Sequence, residues 1–160
     1  MPFNIQTQQQ TLWCWAAVAA SIDAYFAPSA AKDQSTVADG VLHRGDCSPT
    51  NRHCNQTSPL QDALKVVGKL REPPLTKPLE FDALRQQIDQ KLPVCVRIEW
   101  PDGGGHFVVI SGYSITPLGK QMVIVKDPWY VDSVLAFEEL SSDYLLAGGT
   151  WSDSFLVKPS

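Results

Sequence analysis

The segment Leu12-Trp13-Cys14-Trp15-Ala16-Ala17-Val18-Ala19-Ala20-Ser21-Ile22 carries no charge and a single hydroxyl. A helix over it has no polar face to offer water, so the rest of the chain has to cover it on every side. The pattern predicts a helix from about Leu12 to Phe26, stopped by Pro28. Its alanines let the covering elements approach closely. A chain of 160 residues can supply that cover: the length suits one domain, expected to span 1–160, and the core needs no disulfide to form.

The cover divides into two parts, a helical part over about 1–92 and a sheet part over about 93–160. Residues 35–43 predict a short second helix. Ser58-Pro59 reads as an N-cap with proline at the first helical position, and the helix is expected to continue through Leu64, Val67 and Leu70 until Pro73-Pro74 breaks it. Phe81, Leu84 and Ile88 form one stripe of a further helix over about 80–91. From Pro93 onward the pattern changes to strands: 93–100, 106–113, 122–127, 131–137 and 149–157. The turns Pro101-Asp102-Gly103-Gly104-Gly105 and Pro117-Leu118-Gly119-Lys120 are short, so the strands they join run antiparallel. The fold class is α+β.

Composition narrows the partners. Hydrophobic residues make up 44% and charged residues 19%, an ordinary globular balance. Thirteen Lys+Arg against seventeen Asp+Glu leave a formal charge of −4 with no basic stripe, which argues against nucleic acid or an anionic membrane surface. No apolar run is long enough to span a bilayer. The first ten residues lack the basic and apolar regions of a Sec signal peptide. The protein is expected to act in the cytoplasm or to leave through a specialised secretion system, unless the chain is a cleaved piece.

Four cysteines can pair in more than one way, and their settings differ. Cys14 lies between two tryptophans at a helix start. Cys47 and Cys54 share a polar loop and are a possible pair. Cys95 sits between valines in a strand and reads as a core residue. The loop also holds His43 and His53, so zinc is conceivable, but the adjacent His53-Cys54 is poor spacing for a tetrahedral site. We expect no metal and no cofactor.

Four positions suit one chemistry: Gln8, Cys14, His106 and Asp127. A thiol becomes a working nucleophile when a base holds its proton and a third group orients that base. The first turn of the buried helix offers a positive dipole end and an unpaired backbone N–H at Cys14. An imidazole and a carboxylate at the ends of two strands supply the base and its orienting partner. A side-chain amide upstream, Gln8 or failing that Gln9, is a second donor for an oxyanion if the segment curls over the helix start. Taken singly, Cys14 reads as well as an inert buried thiol, His106 as the end of a glycine turn and Asp127-Pro128 as a strand stop; only the set points to catalysis.

The segment Gln8-Gln9-Gln10-Thr11-Leu12-Trp13-Cys14-Trp15-Ala16-Ala17, the strand Gly104-Gly105-His106-Phe107-Val108-Val109-Ile110-Ser111-Gly112-Tyr113 and Val125-Lys126-Asp127-Pro128-Trp129 occur in the order of the active-site motifs of papain-like cysteine peptidases. The chain resembles the compact bacterial type that includes staphopains and plant-pathogen effector proteases. The resemblance implies a papain-like fold, with Cys14 as nucleophile, His106 as general base and then acid, Asp127 as orienting group and Gln8 as oxyanion donor. It raises the reading of Cys47 and Cys54 as a disulfide. It implies a cysteine endopeptidase acting on a protein or peptide substrate, as a secreted bacterial effector or an antibacterial toxin domain. A toxin would need a cognate immunity protein in the producing cell. The same residues suit an amidase or isopeptidase on cell-wall amides, a peptidase that cuts leader peptides after double glycine, or a silent binding domain that kept the cleft.

Overall fold

The computed structural model describes residues 1–159. Helix α1 spans Cys14–Phe26, α2 Gln34–Leu42 and α3 Leu60–Val66, with a single 3-10 turn at Arg52–Cys54 between the last two. Strand β1 covers Leu70–Leu75 and α4 Phe81–Asp89. There follow β2 at Val94–Glu99, β3 at Gly105–Ile115, β4 at Gln121–Lys126, β5 at Ser133–Ala136, α5 at Phe137–Ser142 and β6 at Thr150–Val157. The six strands form one antiparallel sheet in the order β1-β6-β2-β3-β4-β5. Among the described residues no helix is long and apolar enough to cross a membrane.

Both faces of the sheet are covered. Cys95, Phe107, Val109, Phe155 and Val157 pack into one core with α1, α2 and α3. Val94, Val96, Ile98, Val108, Ile110, Val123 and Val125 pack into a second core with α4 and α5. This is why Val94-Cys95-Val96 is an unbroken apolar run: each face of β2 has its own layer to fill. Helix α1 packs against α2, α3 and β3, and every residue from Trp15 to Ile22 is buried, as that uncharged stretch requires; the buried Asp23 that follows accepts the Lys32 N–H at 2.9 Å.

Three expectations needed correction. The helix expected to run through Leu70 ends at Val66, because Gly68 adopts φ +71° and lets Lys69 N–H bond back to the Leu64 carbonyl and Gly68 N–H to that of Lys65. Its start is also one residue later, with Pro59 rather than Ser58 at the cap. The chain beyond Gly68 is then β1, a strand within the part read as helical. Its Pro73 and Pro74 are tolerated because β1 lies at the sheet edge, where missing N–H groups break no ladder on the open side. In the other part, the segment leaving β5 turns into α5, and β6 returns to pair with both β1 and β2.

Candidate active site

Cys14 is the first residue of α1, so its N–H points out of the helix end without an intrahelical acceptor. The helix start is held from outside by the loop that follows α2. Trp13 Nε1 donates to the Cys54 carbonyl at 2.7 Å and Trp15 Nε1 to that of Gln56 at 2.9 Å. Leu12 N–H donates to Asn55 Oδ1, and Gln10 Nε2 donates to the carbonyls of Ser48 and Asn51. Cys47 and Cys54 are joined by a disulfide that closes this loop. Their sulfurs are therefore bonded to each other and no longer thiolates for zinc; the compact ligand cluster here is Asp46, Cys47 and Cys54, without His43 or His53.

His106 stands near the start of β3, opposite Ile98 of β2. Gly103 and Gly104 precede it at φ +96° and +79°, the left-handed values that let the chain reverse within a few residues of β2. Asp127 follows directly after β4. It has the parity of Val123 and Val125, and these share a face with Val108 and Ile110, so carboxylate and imidazole project from the same side of the sheet.

The two meet with His106 Nε2 2.7 Å from Asp127 Oδ1. The other ring nitrogen, Nδ1, is left free of Asp127, and Cys14, which lines the same cleft, acts on the imidazole electrostatically. Burial alone disfavours the imidazolium, but the bond to Asp127 and the influence of Cys14 outweigh it and raise the His106 pKa to about 9. Burial also works against an ionised Asp127, yet His106, the Tyr144 hydroxyl and the Tyr130 N–H hold its carboxyl below the usual range. Oδ1 further accepts the backbone N–H groups of Trp129 and Tyr130 at 2.8 and 2.9 Å. Asp127 is thus a fixed anion rather than a mobile acid.

Gln8 and Gln9 separate clearly. Gln8 is buried in the wall of the cleft, while Gln9 is exposed. Gln8 N–H donates to the Pro128 carbonyl at 2.9 Å, which ties the N-terminal segment to the turn behind Asp127. Its side-chain Nε2 donates to the carbonyls of Gln10 and Thr11 at 2.9 and 2.8 Å, and its Oε1 is buried with no partner among the described residues. Both of its N–H groups are therefore engaged with the turn that leads into α1.

A cleft of about 780 Å³ opens over these groups, with Cys14, His106 and Gln8 in its wall and Leu12, Trp100, Trp129 and Tyr130 around them. Trp129 is half exposed, so it roofs the site rather than filling the core; Trp13 and Trp15 are fully buried. The Tyr130 ring meets the imidazole of His106 edge-on at 5.8 Å. Cys95 is enclosed between the layers, and burial pushes its thiol far up, leaving it no reactive role.

Sequence reasoning missed Tyr144. Its hydroxyl donates to Asp127 Oδ2 at 2.6 Å from a fully buried position. No spacing signals it, because it lies in an irregular stretch between α5 and β6.

A buried helix that starts at a cysteine, packed on an antiparallel sheet that carries imidazole and carboxylate, is the papain arrangement. No curated protein is similar enough to the chain to match it. Residues 1–142 match the family model described as papain-like cysteine protease AvrRpt2, and with most of its length covered the chain belongs to that family: it is a cysteine peptidase, a hydrolase of effector type whose substrates are proteins.

Proposed function

We propose that the protein is an endopeptidase that works through Cys14, His106 and Asp127 by acyl transfer. The observation that carries the reading is the imidazole of His106, bonded through Nε2 to a fixed carboxylate and sharing one cleft with Cys14 at the helix start.

The proton path follows from that geometry. His106 takes the Cys14 proton, and the sulfur attacks the scissile carbonyl carbon. The electron pair of the C=O moves to oxygen, which is stabilised by the N–H of Cys14. Gln8 adds a second donor by giving up one of its two carbonyl partners to the developing anion. The imidazolium, through Nδ1–H, protonates the leaving amine and the C–N bond breaks, leaving a thioester on Cys14. Neutral His106 then takes a proton from water, the hydroxide adds to the thioester, and the acid product leaves as the proton returns to sulfur. Asp127 stays ionised throughout and holds the ring in the tautomer that presents Nδ1 to sulfur.

The family supports an effector that acts on proteins of a target cell after delivery. The deciding experiment maps new protein N-termini in susceptible cells expressing the wild type or Cys14→Ala. Termini that appear with the wild type alone identify substrate and bond together. Identical maps, with Cys14→Ala as toxic as the wild type, overturn the reading; cleavage confined to cell-wall amides reassigns the same chemistry to an amidase.

A further inference from the structure

We propose that Tyr144 is a positioning residue of the catalytic group: its hydroxyl holds the second oxygen of Asp127 so that the first stays ionised and aligned on His106. The inference rests on the assignment of Cys14, His106 and Asp127 above. Tyr144 itself lies beyond the matched residues 1–142.

The two carboxylate oxygens are held unequally. Oδ1 accepts from His106 Nε2 and from the N–H groups of Trp129 and Tyr130. Among the described residues, Oδ2 has one donor, the Tyr144 hydroxyl at 2.6 Å. The side chain of Asp127 is wholly buried, so without that donor an anionic oxygen faces the interior with no partner. A short bond from a buried hydroxyl to a carboxylate is of the charge-assisted kind. It also fixes the rotation of the carboxylate, and so the direction in which Oδ1 faces the ring.

The chain spends local strain to place this hydroxyl. Tyr144 and Gly149 form an isolated bridge, with Tyr144 N–H donating to the Gly149 carbonyl at 2.8 Å. The reversal between them passes through Leu145 and Leu146 at φ 59° and 52°, values that cost a side chain with a Cβ. On the other side the Tyr144 ring stacks on Trp100 at 6.2 Å. A Cβ at position 149 would meet Trp100 at 2.7 Å and Ile98 at 2.8 Å, so glycine is required for the tyrosine and tryptophan to pack as they do. Burial and the Asp127 charge keep the hydroxyl protonated far above any working pH, so it is a donor throughout. The other ionisable groups around the carboxylate are His106 on β3 with Cys14 of α1 beyond it, and Tyr130 and Asp132 on the following turn, the latter paired with Lys126.

The test reads the alkylation rate of Cys14 by iodoacetamide, site-resolved by mass spectrometry, between about pH 4 and pH 9. It needs no substrate. Losing a bond to a charged group makes ionised Asp127 less favourable, so in Tyr144→Phe the acidic fall of the rate moves toward neutrality. The variant reacts up to about tenfold more slowly than wild type near pH 4 and within about twofold near pH 8. In an Asp127→Ala background, Tyr144→Phe adds no further change, whereas a purely structural role would cost the same in both. Should Tyr144→Phe fail to fold, 3-fluorotyrosine placed at 144 keeps the packing and donates more strongly; it moves the acidic fall to lower pH. Profiles of Tyr144→Phe or the fluorinated protein that superimpose on wild type overturn the proposal. Wild-type Cys14 that reacts slowly and is indifferent to His106→Ala instead overturns the catalytic assignment itself.

Discussion

The indole N–H of Trp13 donates to the carbonyl of Cys54 at 2.7 Å, so the residue before Cys14 is bonded to one half of the disulfide. Together with the bonds from Gln10, Leu12 and Trp15, it makes the loop after α2 the outer support of the helix start. The Cys47–Cys54 bond closes a short loop in the unfolded chain, and its loss costs about 2–3 kcal/mol. Cys47→Ser with Cys54→Ala, or reduction of the wild type, lowers the denaturant midpoint by a corresponding amount. Equilibrium unfolding with and without reductant measures it, and coincident curves would count against the loop as a support.

Cys14→Ala and His106→Ala abolish turnover while leaving the circular dichroism spectrum unchanged. Asp127→Ala behaves differently in two respects. It leaves residual turnover, because the carboxylate orients rather than reacts, at a loss on the order of 10⁴-fold. It also lowers the melting temperature, since the bonds from His106, Trp129, Tyr130 and Tyr144 lose their acceptor together. Full activity in any of the three variants rejects the mechanism.

The raised pKa of His106 sets the alkaline side of the activity profile. The imidazolium that protonates the leaving amine persists up to about pH 9, so kcat/KM falls as pH rises through that value. The same shift makes the protonated ring stabilising: that stability is complete below the ordinary histidine value near 6.5 and is lost as pH climbs toward 9. Asp127→Ala removes a group that raises the pKa, so the alkaline fall moves to lower pH. An alkaline limb unmoved by that substitution would exclude the coupling.

Gln8→Ala tests whether the Gln8 amide serves as a second oxyanion donor. The amide must leave a carbonyl of Gln10 or Thr11 to reach an oxyanion, so part of its effect is offset. The expected fall in kcat is near or below the lower end of the roughly 10²–10³ range for such donors, with KM little changed. A kcat equal to wild type assigns the amide to the turn alone.

Thiol labelling separates the cysteines by environment. At about pH 6 iodoacetamide modifies Cys14 quickly and Cys95 only after unfolding, because Cys95 is sealed between the sheet and the helices. Cys47 and Cys54 react only after reduction. Uniform slow labelling of Cys14 and Cys95 would contradict the site.

Elements with local signals are readable from the amino acids alone. The uncharged run forms an enclosed helix from Cys14 onward, two residues later than its pattern implies, with Leu12 left exposed in the turn before it, and the glycine turns on either side of 106–113 join antiparallel neighbours. The pairing of His106 with Asp127 and the place of Cys14 at a helix start were legible because each of the three lies at an element boundary with its own punctuation. Tertiary structure decided what depends on partners far along the chain. Leu70–Leu75 is a strand because β6 passes beside it, not because its two prolines favour one. Cys47 pairs with Cys54 because the loop that holds the start of α1 brings them together. Tyr144 reaches Asp127 because Trp100 and Gly149 shape the space it fills, a fit no local spacing encodes. Local patterns set the direction of each side chain relative to its own element; which groups meet is settled only when the two cores close on either face of the sheet.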